Sequence, residues 1–308
     1  MKRILFLLFF VVLTNFVLAQ NLDFQTFTYF ENDSTKLELD LFLPDQVVLK
    51  DSVPLVIFVH GGGFKNGNRE SAHDICHFLA QNGIAAATIT YTLYMADKSF
   101  SCDGILTEKV RAIQLAANQI WQATQFFIQH RGEYNINTAQ IFLAGSSAGA
   151  EAILQANYWD REIMGIYPLS LPERFKYAGL ISGAGAVIDI NLITTKNQVP
   201  GLFFHGTCDN LVPYNIAPHH YCKGNVPGWL ILFGAHAMHE RLKMLNGKTY
   251  LMTYCGGGHE YSWKPFTEER ETILWFIHHA PLNEKFQIHR ILPTGKFCDA
   301  SEAYEFCK

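Results

Sequence analysis

Ile141-Phe142-Leu143-Ala144-Gly145-Ser146-Ser147-Ala148-Gly149-Ala150 runs from a short apolar stretch through a turn of small residues into the amphipathic pattern Ala148–Tyr158. The apolar stretch predicts a buried strand and the pattern that follows predicts a helix. When a strand reverses that sharply into a helix, side chains two positions before and two after the apex would strike the neighbouring strand and helix. Glycine is therefore required at both places. Gly145 and Gly149 frame Ser147 in this way, and Ser146 lacks the matching pair. A Gly-x-Ser-x-Gly pattern should arise by chance about 0.06 times in a chain of this composition. The motif alone is thus moderately specific, and the strand-turn-helix context carries the rest. The competing reading is a small-residue turn without chemistry.

The same alternation extends in both directions. Residues 24–30 and 37–43 flank Glu-Asn-Asp-Ser and predict an antiparallel hairpin opening the fold. Strands are expected at 54–59, 84–91, 140–144, 178–182 and 201–205, with 250–254 as the last. Helices are expected at 71–81, 107–130 and 148–158, with 268–279 as the last. Continuous apolar strands separated by helices predict an α/β fold, a mostly parallel central sheet with helices on both faces. In such sheets ligands bind beyond the carboxyl ends of the strands, so function is expected in the loops that follow them.

A second motif occupies such a loop. His60-Gly61-Gly62-Gly63-Phe64 follows the strand at 54–59, and a His-Gly-Gly-Gly run is expected about 0.005 times by chance. Three glycines let backbone N–H groups converge on one point. A flexible glycine-rich turn is the plainer alternative. With these two motifs in place, the chain resembles the α/β-hydrolase esterases and lipases that carry a His-Gly-Gly-Gly oxyanion motif, over about residues 37–280.

That resemblance implies Ser147 as nucleophile and the N–H groups of Gly62, Gly63 and Ala148 as the oxyanion hole. His60 becomes a structural brace, Gly61, Gly145 and Gly149 shape the two turns, and Phe64 borders the acyl pocket. The acid and base should follow in the order Ser, Asp or Glu, His. Asp209, in His205-Gly206-Thr207-Cys208-Asp209, lies just past the strand at 201–205, with Asp189 as the alternative. His259 follows Gly256-Gly257-Gly258 and leads into the final helix. The other histidines have duller readings: His278 and His279 lie on that helix, and His219 and His220 in a polar loop. Residues 20–280 form the catalytic domain on this reading, with 281–308 as a tail packed on it. The implied reaction is hydrolysis of a small ester, needing neither metal nor organic cofactor. A prolyl-peptidase-like hydrolase and a catalytically inactive binding module are the alternatives.

Composition narrows the partners. The chain has 308 residues, of which 49% are hydrophobic and 17% charged, with a formal net charge of −4. With no Lys/Arg cluster it lacks the electrostatic footprint of a nucleic-acid-binding protein. Lys2 and Arg3, the apolar run 4–13 and Val17-Leu18-Ala19 predict a cleaved export signal over residues 1–19. The apolar run is shorter than the ~20 residues a membrane span needs, and no Cys precedes Cys76 to accept a lipid. Export to a periplasmic or extracellular space, without membrane insertion, is the expectation. Seven cysteines then point to disulfides with at least one thiol left over. Cys298 and Cys307 flank a short polar loop that they could close, and Cys208 and Cys255 could bridge the loops of Asp209 and His259. Residues 160–175 and 218–244 follow no clear periodicity and are expected to form a small cap. They carry no long hydrophobic face, which predicts short acyl groups, acetyl to butyryl, with an acylated sugar among the candidate substrates.

Overall fold

A strand buried on both faces must be apolar at every position, and its odd and even side chains then enter two different cores. The computed structural model, which describes residues 24–45 and 52–308, has this arrangement. The expected signal at 1–19 lies outside the described residues. Leu55, Ile57, Val59, Ile141 and Leu143 face one core, and Val56, Phe58, Phe142 and Ala144 face the other.

The strands are β1 (Gln25–Asn32), β2 (Thr35–Phe42), β3 (Val53–Val59), β4 (Ala85–Ile89), β5 (Ile136–Ser146), β6 (Gly179–Gly183), β7 (Ala186–Val187), β8 (Gly201–Gly206), β9 (Ile216–Pro218), β10 (Ile231–Gly234), β11 (Thr249–Cys255) and β12 (Gln287–Pro293). Nine of them form one sheet in the order β1-β2-β4-β3-β5-β6-β8-β11-β12, and β7-β10-β9 form a small second sheet. β1 and β2 are the expected hairpin, antiparallel to each other and to β4. From β4 to β12 all neighbours are parallel.

The helices are α1 (His73–Gln81), α2 (Leu106–Gln129), α3 (Ala148–Tyr158), α4 (Arg161–Met164), α5 (Ala235–Met244), α6 (Pro265–Glu268), α7 (Arg270–His279) and α8 (Asp299–Glu302). α2, α3 and α5 bury Ile113, Ile153 and Met238 in the first core. α1 and α7 bury Leu79 and Phe276 in the second. The chain leaves β3 for β4 on one side and returns to β5 on the other, so the sheet order reverses at β3. A crevice opens at such a reversal, outside the carboxyl ends of the strands.

Three expectations change. β11 is not the last strand, because the tail adds β12 to the sheet edge in parallel register, Thr249 opposite Gln287. Residues 160–175 do not cap the crevice. They run along α2, whose Asn118 Nδ2 donates to Met164 O, Asn118 Oδ1 accepts from Ile166 N and Gln122 Nε2 donates to Pro168 O. Buried amides on a long helix need partners, and this segment supplies them. Of residues 218–244 only the stretch around His219 borders the crevice, and the rest holds β10 and then α5 packed on the first core.

The disulfides also differ. Cys102 pairs with Cys222, Cys208 with Cys298 and Cys255 with Cys307, while Cys76 is a buried free thiol. Neither a Cys298–Cys307 loop nor a Cys208–Cys255 bridge forms. β12 carries the tail past the ends of β8 and β11, so the two loops are each tied to the tail and not to one another. Three disulfides fit an oxidising environment. Among the described residues no helix is long and apolar enough to cross a membrane.

The two tail disulfides close segments of 90 and 52 residues, and each should contribute about 2–4 kcal/mol. Replacing Cys208, Cys255, Cys298 and Cys307 together by serine should lower the thermal midpoint by roughly 10 °C in calorimetry. An unchanged midpoint would mean that the tail holds its place without them.

Candidate active site

β5 ends in Ser146 and α3 begins at Ala148, leaving one residue, Ser147, to make the turn. It does so at φ 53° and ψ −123°, a conformation that residues with a β-carbon rarely adopt. Close packing on both sides enforces it. A β-carbon on Gly145 would lie 2.7 Å from the Gly149 carbonyl, and one on Gly149 would lie 2.1 Å from Val59 O. α3 can therefore start directly over the end of β3 only because both positions lack side chains. The Ser147 N–H donates to Gly183 O at 2.8 Å, which pins the apex to β6.

The loop after β11 brings His259 to this apex, with Ser147 Oγ 2.8 Å from His259 Nε2. On the far side of the ring His259 Nδ1 lies 2.7 Å from Asp209 Oδ2. With Nδ1–H donating to the carboxylate, Nε2 is left free to accept from the serine hydroxyl. Asp209 is fully engaged, since its Oδ1 accepts from the N–H groups of Leu211 and Val212 at 2.9 and 3.0 Å. His205 Nε2 lies 3.3 Å from Oδ2 as well. Burial alone would raise this carboxyl, yet the hydrogen bonds from His205 and His259 hold it well below the usual carboxylate range. Its stabilising effect is complete above the unfolded carboxylate value of about 3.9 and is lost as pH falls through the depressed folded value.

The Asp209 and His259 loops are joined directly. Cys208 N donates to Gly257 O at 2.8 Å and Gly256 N to Thr207 Oγ1 at 2.9 Å. Asp189, the alternative acid, instead caps a short 3-10 turn by accepting from Asn191 N.

The His-Gly-Gly-Gly turn follows β3 and faces the apex. Gly62 and Gly63 have φ of 111° and 63°, and a β-carbon on Gly62 would lie 2.1 Å from Asn66 O. Both glycines line the same cleft as Ser147 and Ala148. His60 is buried beneath the turn. Its Nδ1–H donates to Gly61 O at 2.7 Å, its ring stacks on Tyr91 at 4.4 Å, and the Tyr91 hydroxyl donates to His60 O at 3.0 Å. Burial keeps the His60 imidazole below its ordinary value, so it is neutral.

Phe64 does not border the cleft. Its backbone turns through φ 56° and its ring is fully buried against Tyr91 and Phe100. Phe100, which it supports, lines the cleft instead.

The cleft has a volume of about 940 Å³. Its roof comes from the loop before α2 and the loop around His219, joined by the Cys102–Cys222 disulfide. Sequence reasoning missed Phe100, Glu151, His219 and His220 in its wall. Glu151 carried a signal, being an acidic residue inside the otherwise apolar start of α3. His219 carried none, because a polar loop gives no sign that the fold will bury it. Among the described residues no cluster of three or more His, Cys, Asp or Glu is placed to hold a metal ion.

A serine on a strained strand-to-helix turn, the Ser-Asp-His chain order and all of these groups at the carboxyl ends of parallel strands define an α/β-hydrolase fold. The BD-FAE family model matches residues 39–164, which hold β3, the His-Gly-Gly-Gly turn, the Ser147 turn and α3. Thermogutta terrifontis esterase 2 phosphorylated by paraoxon superposes with a TM-score of 0.60 at 16% identity, over 85% of this chain and 96% of that one. The propionate-bound and butyrate-bound forms of the esterase from Thermogutta terrifontis superpose at 0.58 and 0.59, again at 16% identity, over 86% of this chain and 97% of theirs. At that identity the likeness is one of fold.

Proposed function

We propose that this protein is a serine hydrolase that cleaves carboxylic esters through an acyl-enzyme on Ser147. The relay from Ser147 Oγ to His259 to Asp209, with contacts of 2.8 and 2.7 Å, carries the reading. His259 takes the Ser147 proton as Oγ attacks the acyl carbonyl, and Asp209 holds the ring tautomer and stabilises the imidazolium. The N–H groups of Gly62, Gly63 and Ala148 stabilise the tetrahedral oxyanion. His259 then protonates the departing alcohol, and water deacylates the enzyme with His259 again as base. A module that only binds has no need for a strained serine in contact with a buried acid and base, and this favours an enzyme.

Short acyl groups suit the cleft. Its lining includes Lys65, Asn66, Asp97, Lys98 and Asp103, a polar set suited to a polar alcohol on a short acyl ester. The fold neighbours that hold propionate and butyrate agree with this preference. The alcohol is small and polar, an acylated sugar among the candidates. The enzyme acts outside the cytoplasm, in a periplasmic or extracellular space, a reading supported by the three disulfides and the expected N-terminal signal.

Ser147→Ala and His259→Ala should each lower kcat on p-nitrophenyl acetate by about 10⁶-fold, because nucleophile and base act as a unit. Asp209→Asn should cost about 10⁴-fold, and Asp189→Asn should behave as wild type. If Asp189→Asn proved the more damaging of the two aspartate variants, the acid would be reassigned.

Along a p-nitrophenyl ester series from two to twelve carbons, kcat/KM should peak at four carbons or fewer. Each accommodated methylene can contribute up to ~0.8 kcal/mol of burial, so a long-chain site would show a steady rise. A maximum at eight carbons or beyond would make the protein a lipase.

A further inference from the structure

The cleft wall beside Ser147 holds groups that acyl transfer does not use. Glu151 follows Ser147 by one helical turn on α3 and is 1% exposed, and His219 is 2% exposed, yet both line the cleft. Glu151 Oε1 and His219 Nδ1 are buried without a hydrogen-bond partner. His219 Nε2 stands 3.8 Å from Glu151 Oε1, beyond hydrogen-bond reach. The atom of this pair that lacks a partner is Glu151 Oε1, with His219 Nε2 beside it and the unpartnered Nδ1 a different ring nitrogen, so a ligand oxygen in the cleft at hydrogen-bond distance from Oε1 would also come near the imidazole. Buried polar atoms without partners are rare and destabilising, and a ligand that supplies the missing partner recovers that loss.

The histidine is held in place. His220 and Tyr221 both have positive φ, 55° and 50°, in a region non-glycine residues avoid, and such strain persists only where the surroundings impose it. Here the Cys102–Cys222 disulfide anchors the loop. Buried Lys109 donates from Nζ to Gly228 O at 2.7 Å, and Ser101 Oγ lies 3.1 Å from His220 Nδ1.

The charge state selects the ligand. Burial raises the Glu151 carboxyl to about 8, against the attraction of Lys109 and with the help of Asp209. Burial likewise holds His219 well below its ordinary value. Burial thus favours the uncharged form of both, in which each offers one donor and one acceptor. An ammonium ligand would call for an ionised Glu151 and a carboxylate ligand for a protonated His219. A hydroxyl, which donates and accepts at once without charge, meets both groups as they stand.

We propose that Glu151 and His219 form a hydroxyl-binding subsite, so that the enzyme prefers esters carrying a free hydroxyl a few bonds from the scissile carbonyl. The proposal rests on the reading of Ser147 as the nucleophile of an ester hydrolase. The hydroxyl can stand on the acyl or the alcohol portion, and matched substrates separate the two. One pair is p-nitrophenyl butyrate and p-nitrophenyl 3-hydroxybutyrate, and the other is butyl acetate and 3-hydroxybutyl acetate. In wild type, kcat/KM should favour the hydroxylated ester at least about tenfold in one pair, since a site built to hydrogen-bond a hydroxyl discriminates against the analogue lacking it. The ratio should fall to within about twofold in Glu151→Leu and in His219→Phe. If either fails to fold, Glu151→Met, which removes donor and acceptor at similar side-chain length, should reduce the ratio in its place, while Glu151→Gln, which keeps one of each, should retain it. Wild-type ratios near one in both pairs would overturn the subsite while leaving ester hydrolysis intact, and a preference that survives the apolar substitutions would remove it from these residues. Inactivity on all four esters would count against the hydrolase reading itself, and the subsite would fall with it.

Discussion

Where α3 starts over the end of β3, the Gly149 α-carbon passes so near Val59 O that a β-carbon would come within 2.1 Å of it. This approach leaves a single residue to turn the chain, and that residue is Ser147, held at a positive φ. The turn aims the hydroxyl out of the sheet at the point where strand order reverses, facing the glycine turn after β3 and the loops after β8 and β11. Moving α3 outward by an ångström would relax Ser147 and separate it from His259 at the same time. The strain is tolerable because β3, β5 and β6 are packed on both faces, and a close-packed interior resists adjustment.

The second element of the account is electrostatic. A buried carboxylate is costly unless its acceptor sites are filled, and Asp209 fills them with two backbone N–H groups, His259 and His205. The charge stays in place and orients the His259 ring. The same burial without partners has the opposite result one turn into α3, where Glu151 is pushed toward the neutral form. The two acids border one cleft, and their surroundings separate their behaviour. The C-terminal tail contributes from a distance, since its two disulfides reach Cys208, next to Asp209, and Cys255, four residues before His259.

Much of this was legible in the sequence because it follows from local pattern. The continuous apolar runs announced the parallel strands, Glu-Asn-Asp-Ser announced the hairpin, and the glycine frame singled out Ser147 over Ser146. Asp209 and His259 could be named because each follows a strand in the required order. What the sequence did not reveal depends on distant pairing. β12 is short, mixed in polarity and exposed at a sheet edge, so nothing in residues 287–293 distinguishes it from a loop until β11 is beside it. The two tail disulfides follow from where β12 carries the tail, and spacing suggested the wrong partners. Phe64 looked like a pocket residue by its neighbours in sequence, but its left-handed backbone turns the ring into the core. Residues 160–175 lacked periodicity because they hold only the four-residue α4, and much of the rest is tied by hydrogen bonds to the side chains of α2.

The central claim is that Ser147 is an activated nucleophile, and labelling tests it most directly. Incubating the folded protein with a fluorophosphonate and fragmenting the labelled peptide by mass spectrometry should place one adduct on Ser147, and His259→Ala should suppress it. No adduct on folded protein, or an adduct on Ser146 instead, would contradict the account.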